Sequence, residues 1–264
     1  KTHSMTHPLC RWGILGTATI ARKNWHSILN AGNSQLVAVA SRSVERAQQY
    51  IAECQSQIAH DPMPDAVGGY DTLLARDDID AVYIPLPTGL RKEWVIKAAQ
   101  SGKHVLCEKP CGLDASELEE ILAVCAEHKV QFMDGVMFMH SRRLDAIRET
   151  LNDGSSIGQL RRIQTGFSFC APQEFLDGNI RVSSALEPAG CVGDLGWYNI
   201  RFTLWAMNYA MPKWVTGRLI SSLKSDISSA PTPTEFSGEM QFDGAVSAGF
   251  YCSFLNEHQQ WAHC

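Results

Sequence analysis

No stretch of this sequence comes near the roughly 18 consecutive apolar residues of a membrane-spanning helix. Positive charge does not dominate either: 23 Lys and Arg stand against 28 Asp and Glu, for a net charge of −5. A protein that grips nucleic acid by neutralising phosphates needs a concentrated basic surface, so that class is excluded. The first ten residues are polar and hold no apolar signal core. They read as a short tail, with Met5 as a candidate native start preceded by a remnant. There is no internal repeat and no low-complexity linker. No second Cys or His pair stands near Cys107 and Cys111, so a tetrahedral metal site is not expected there. The nine cysteines are odd in number and scattered, which reads as reduced thiols in a cytoplasmic protein rather than a disulfide framework. What remains is an ordinary globular composition: 264 residues, 45% hydrophobic and 19% charged. That length suggests two domains at about 100–200 residues each.

The first half alternates short apolar runs with helical periodicity. Residues 11–15, 35–40, 81–84, 104–107 and 130–133 are expected strands; 17–30, 44–59, 92–100 and 115–128 are expected helices. Asp114 stands as the N-cap of the last helix with Glu117 three residues on, a capping-box spacing. Strands separated by helices of this length indicate βαβ units and a parallel sheet covered on both faces. The pattern then changes. Helices are expected at 142–151 and 192–208, and strands at 160–169, 213–222, 235–242 and 245–254, with Asp243-Gly244 as a hairpin turn. The expected architecture is an α/β Rossmann domain at residues 8–138, followed by an α+β domain at 139–264 with a largely antiparallel open mixed sheet.

Gly16-Thr17-Ala18-Thr19-Ile20-Ala21 lies where the first strand turns into a helix, a variant of GxGxxG with alanine at its second and third positions. Small residues let backbone approach a pyrophosphate, and the helix start supplies amide donors and partial positive charge. The alternative is a merely tight turn. A second strand follows and ends Ala40-Ser41-Arg42-Ser43, with no carboxylate to bind the ribose hydroxyl of NAD or repel a 2′-phosphate. Arg42 with the flanking hydroxyls suits the phosphate of NADP, although the position also suits an ordinary loop arginine.

Pro85-Leu86-Pro87 closes the third of these strands, and Glu108-Lys109-Pro110 follows the fourth. Strand carboxyl ends are the ligand edge of open α/β sheets. An ammonium there can polarise a substrate oxygen or steady a developing alkoxide, though a lone lysine at a strand end is more often simply solvated. Farther on, Asp194 and Tyr198 are spaced i, i+4, on one face of a helix. A phenol exchanges protons well only where a cation favours its phenolate form. The competing reading makes Trp197, Tyr198, Phe202 and Trp205 an aromatic core stripe, which suits Phe202 and Trp205.

Taken together, the Gly16–Ala21 turn, the 38–43 stretch, Pro85-Leu86-Pro87, Glu108-Lys109-Pro110 and the segment from Gly190 to Asn199 resemble the glucose–fructose oxidoreductase / inositol dehydrogenase / MocA family. The resemblance runs over nearly the whole chain. It implies NAD(P)-dependent redox chemistry on sugars, cyclitols or dihydrodiols, with Lys109, Asp194 and Tyr198 catalytic. It also implies that Gly16, Thr17, Ala18, Thr19, Ile20, Ser41, Arg42, Pro85, Leu86, Pro87, Arg91, Glu108 and Lys109 hold the cofactor. NADP is expected over NAD. Thr88-Gly89-Leu90-Arg91 departs from the family's usual Asn and His, so Arg91 either takes over a cofactor contact or marks its loss. His140, in Met137-Phe138-Met139-His140, is the candidate substrate contact.

The alternative function is a non-catalytic nucleotide-binding regulatory or scaffolding protein of the same fold. The expected partners are a polyol- or sugar-like small molecule and a second copy of the chain, with no nucleic acid and no membrane. Relatives continue past the equivalent of residue 264, so a strand beginning near His258 is expected at the edge of a shortened second domain.

Overall fold

The computed structural model describes residues 8–264; the start of the tail, with Met5, lies outside the described residues. The chain divides into two compact units, one ending at Gly135 and the other running Val136–Cys264.

The first unit alternates strand and helix: β1 (Cys10–Leu15), α1 (Ala21–Asn30), β2 (Ser34–Ser41), α2 (Val44–Gln57), β3 (Asp65–Gly68), α3 (Tyr70–Leu74), β4 (Ala81–Ile84), α4 (Thr88–Gln100), β5 (His104–Cys107), α5 (Ala115–Glu127) and β6 (Phe132–Asp134). The six strands form a parallel sheet in the order β3-β2-β1-β4-β5-β6. Its order reverses between β1 and β4, the switch point where such sheets bind ligands. Alternate strand residues feed opposite faces. Ile14, Val39 and Tyr83 pack with Trp25 of α1 and Ile51 of α2. Leu15, Ala40, Val82 and Ile84 pack with Val95 of α4 and Ile121 of α5. Both faces are therefore buried, which explains why the strands are uniformly apolar.

The differences from the sequence reading lie at element ends. The first helix begins at Ala21, because residues 17–20 form the turn that leads into it. β3, missed in the sequence, is four residues between Pro64 and Gly69 and carries no alternation long enough to read. α4 begins directly after Pro87, four residues earlier than expected. The expected cap on α5 forms: Asp114 accepts from the Glu117 amide at 2.9 Å, and Glu117 reaches back to the Leu113 amide at 2.8 Å.

The second unit holds α6 (Arg143–Asn152), β7 (Arg162–Cys170), α7 (Gln173–Gly178), α8 (Trp197–Ala206), β8 (Trp214–Leu223), β9 (Thr232–Gln241), β10 (Ser247–Ser253) and β11 (Leu255–His263). The strands form a mixed sheet in the order β11-β7-β10-β9-β8; only β7 and β10 run parallel. The β9–β10 connection does turn at Asp243-Gly244, with Gly244 and Ala245 both at positive φ and the Phe242 amide bonded to the Val246 carbonyl at 2.8 Å. The strand expected near His258 begins at Leu255 and pairs antiparallel with β7 at the sheet edge. Ile163, Leu195, Trp205, Ala248 and Phe250 belong to the core of this unit. The helix expected over 192–208 is two pieces, a π-helical turn at Val192–Gly196 and then α8. The glycines at 193 and 196, poor helix formers, lie in that turn, and Gly196 packs so closely on β10 that a Cβ would sit 3.3 Å from the Cys252 sulfur.

Candidate active site

At the end of β1, Gly16 adopts φ 113°, a conformation that L side chains rarely adopt. Its amide donates to the Ala40 carbonyl at 2.8 Å, and a Cβ would stand 3.0 Å from Leu86 Cδ2. The glycine thus lets the β1 exit lie against the β4 exit. Thr17, Ala18, Thr19 and Ile20 turn into α1, whose first bonds run from the amides of Ala21, Arg22 and Lys23 back to Ala18, Thr19 and Ile20. No side chain caps this helix start and no acid lies in its first turn. Its partial positive charge is left for an external anion.

β2 ends at Ser41, which is buried and accepts from the Gly69 amide at 2.7 Å. Arg42 is exposed, and Ser43 caps α2 by accepting from the Arg46 amide at 3.5 Å. Both Arg42 and Arg46 act electrostatically on Tyr70: burial pushes its phenol pKa up, and the two guanidinium groups partly oppose that shift. The ring of Tyr70 stands edge-on to Trp94, with centroids 4.9 Å apart. Arg46 and Tyr70 were missed in the sequence. Arg46 could have been found as a second cation one turn into the helix after Arg42; Tyr70 arrives from β3, which had no signal.

Pro85 and Leu86 are buried at the β4 exit and Pro87 is half-buried. Arg91 is buried too. Its Nε donates to the Leu86 carbonyl at 2.7 Å, and its Nη1 donates to Thr88 Oγ1 at 2.9 Å and to the Pro110 carbonyl. The guanidinium therefore ties the β4 exit to the segment after Lys109. Glu108 is held from two sides: Tyr83 donates to Oε1 at 2.7 Å, and the Lys109 amide donates to Oε2 at 3.3 Å. Burial and the neighbouring Glu108 both push the Tyr83 phenol pKa up, so it stays a donor. Lys109 is half-buried, and its peptide to Pro110 is cis. The sequence-predicted residues of this unit thus gather at the carboxyl edges of β1, β2, β4 and β5.

In the second unit, Gly190 opens the later signature. Its φ is 48°, and a Cβ would lie 2.1 Å from the Pro233 carbonyl oxygen, so no other residue fits without backbone movement. Asp194, in the π-helical turn, pairs with Arg181 Nε at 2.8 Å. Arg181 belongs to a 3₁₀ turn, Ile180–Val182, inside a loop without a readable motif. The Tyr198 ring packs against Phe138 and Phe167, with centroids 6.0 and 5.5 Å away. Tyr198 also lines a cavity of about 340 Å³ together with Phe138, Phe167, Thr165 and Asn199. His140 is exposed on the turn Met137–His140 and does not line this cavity; Phe138 of the same turn does. Among the described residues no cluster of three or more His, Cys, Asp and Glu could hold a metal ion.

Residues 10–136 match the oxidoreductase family described as NAD-binding Rossmann fold, and residues 144–263 match the GFO/IDH/MocA C-terminal domain. The chain belongs to the GFO/IDH/MocA oxidoreductase family. Within it, the chain is 32% identical to an NADP(+) D-xylose 1-dehydrogenase of Haloferax volcanii over 95% of its own length and 71% of that protein's. It is 34% identical to a dTDP-3,4-didehydro-2,6-dideoxy-alpha-D-glucose 3-reductase of Saccharopolyspora spinosa, over 72% of this chain and 54% of that one. The chain therefore spans little more than half the length of some curated GFO/IDH/MocA relatives. A crystal structure of a 3-ketoreductase from Actinomadura kijaniata with NADP and TDP-benzene superposes with a TM-score of 0.81 at 26% identity, covering 97% of this chain and 73% of that chain.

Proposed function

We propose that this protein is an NADP-dependent oxidoreductase acting between a carbinol and a carbonyl carbon of a sugar, cyclitol or dihydrodiol. The observation that carries the proposal is that the Gly16 turn and Lys109 leave the same carboxyl edge of one parallel sheet, from strands separated only by β4. The turn fits a dinucleotide: it has a glycine at positive φ, a helix start without cap or acid, and Arg42 after β2 with Arg46 in the first turn of α2 for a 2′-phosphate. When bound, NADP supplies or accepts the hydride. Lys109 polarises the substrate oxygen, and Tyr198 exchanges the hydroxyl proton. Asp194 orients the substrate or the lysine from a carboxylate steadied by Arg181. Glu108, fixed by Tyr83, sets the backbone that presents Lys109.

A second copy of the chain is the proposed partner of the second unit's sheet, at its β8 edge. Trp214, Val215, Leu219 and Ile220 of β8 are each about half exposed or more, and an apolar edge strand of this kind invites association. The nine free cysteines favour a reducing, cytoplasmic setting.

Fluorescence titration with NADPH, followed by a panel of sugars, cyclitols and diols with NADP, tests the reading. Tight NADPH binding with turnover of at least one panel member is expected. Binding without turnover across the panel would favour a non-catalytic nucleotide-binding role instead.

A further inference from the structure

Three strand exits meet beside the Gly16 turn. The Gly16 amide reaches the Ala40 carbonyl at the end of β2. The Gly69 amide reaches the Ser41 carbonyl at 2.7 Å, so the exit of β3 lies against that of β2. Tyr70 follows at once. A Cβ on Gly16 would stand 3.8 Å from its hydroxyl, so the side chain closes back over the turn. The ring is held in place. It packs on the core that contains Leu15 and Leu86, and it meets Trp94 of α4 edge-on. Trp94 is steadied in turn by the Lys97 ammonium, 4.2 Å from its ring centre. The hydroxyl is not committed. Among the described residues it has no hydrogen-bond partner, it is not sealed from solvent, and the charges that act on it are those of Arg42 and Arg46. Burial keeps it protonated, so it can both donate and accept.

A turn of this kind takes a pyrophosphate, and Arg42 and Arg46 suit a 2′-phosphate. Between those two phosphates NADP carries the adenosine ribose. NAD proteins bind that sugar with an acid at the end of the second strand. Here Ser41, Arg42 and Ser43 stand there instead, and the Ser43 hydroxyl is engaged in capping α2. β2 therefore offers no carboxylate to the ribose 3′-hydroxyl. We infer that Tyr70 takes that role: its hydroxyl, held between the Gly16 turn and Arg42, hydrogen-bonds the 3′-hydroxyl of the adenosine ribose. The inference rests on the reading of the turn as an NADP site. Arg42 and Arg46 then select NADP through its phosphate, whereas Tyr70 anchors the sugar that NADP and NAD share.

The test is equilibrium binding to wild type and Tyr70→Phe, read by fluorescence titration. The ligands are NADPH, NADH and 3′-deoxy-NADH, the analogue that lacks only the hydroxyl in question. Tyr70→Phe keeps the ring and its contact with Trp94, so its urea midpoint should match that of wild type and weakened binding could not be blamed on misfolding. The variant should bind NADPH and NADH more weakly by the same factor, about fivefold, which is within the range of one neutral hydrogen bond. Wild type should bind NADH about fivefold tighter than 3′-deoxy-NADH, and that preference should vanish in Tyr70→Phe. A preference retained in the variant, an unchanged NADPH affinity, or a loss confined to NADPH would overturn the inference and leave the NADP site standing. Wild type that binds no NADPH would overturn the NADP reading, and the inference with it.

Discussion

Arg91 offers a perturbation whose size follows from its surroundings. The side chain is 6% exposed, and its guanidinium donates to Leu86 and Thr88 at the β4 exit and to Pro110 after β5, two segments distant in sequence. Arg91→Ala takes the donor from two buried carbonyls and a hydroxyl together. A hydrogen bond to a charged group contributes about 1.5–3 kcal/mol, and bonds from one side chain overlap rather than add, so the total loss is about 3–5 kcal/mol. Against a typical stability of about 5–15 kcal/mol that is a large share. With a urea slope near 2 kcal/mol/M, the unfolding midpoint should fall by roughly 2 M. Arg91→Lys, which keeps the charge but not the fork, should recover part of the loss. Circular dichroism during urea unfolding, paired with NADPH titration, separates two roles. An unchanged midpoint with weakened NADPH affinity would refute the clamp and make Arg91 the direct cofactor contact that its sequence position suggests.

Arg42→Ala and Arg46→Ala should each weaken NADPH binding by about 1.5–3 kcal/mol while leaving NADH binding nearly unchanged; equal losses for both cofactors would count against a 2′-phosphate site. Arg11 holds the Asp80 carboxyl down at about 2 through a side-chain hydrogen bond. A depressed carboxyl stabilises the fold above its unfolded pKa of about 4 and loses that contribution as pH falls toward 2. The pair is more than a third exposed, so the effect is small. The deficit of Asp80→Asn in urea should therefore shrink between pH 5 and pH 3, and a constant deficit would dismiss the linkage. Arg181→Leu should lower kcat more than it raises KM, because it takes one cationic partner from Asp194 while keeping the carboxylate; kinetics equal to wild type would leave the ion pair without a catalytic role.

The parallel sheet was readable because its inner strands are buried on both faces and so read as short apolar runs between helical segments. Asp114 and Glu117 marked a helix start by local chemistry alone. β3 was not readable, since four residues between a proline and a glycine hold too little pattern. The π-helical turn was also hidden. A π turn differs from an α turn in its backbone hydrogen-bond spacing, which side-chain patterning over five residues does not display. At the site, the strand-end motifs announced themselves by position. Tyr70 and Arg181 did not, because each matters through a neighbour distant in sequence: Arg181 through Asp194, and Tyr70 through Arg42 and Arg46.

Proton and oxygen chemistry by Lys109 and Tyr198 on the substrate of an NADP-dependent reaction is tested by the rate of NADPH appearance with a turned-over alcohol for wild type, Lys109→Met and Tyr198→Phe, each with its NADPH dissociation constant measured alongside. Both variants should bind NADPH about as wild type does and turn over about 10²-fold more slowly or worse. Tyr198→Phe turning over at the wild-type rate would remove Tyr198 from the proton transfer and return it to the aromatic core.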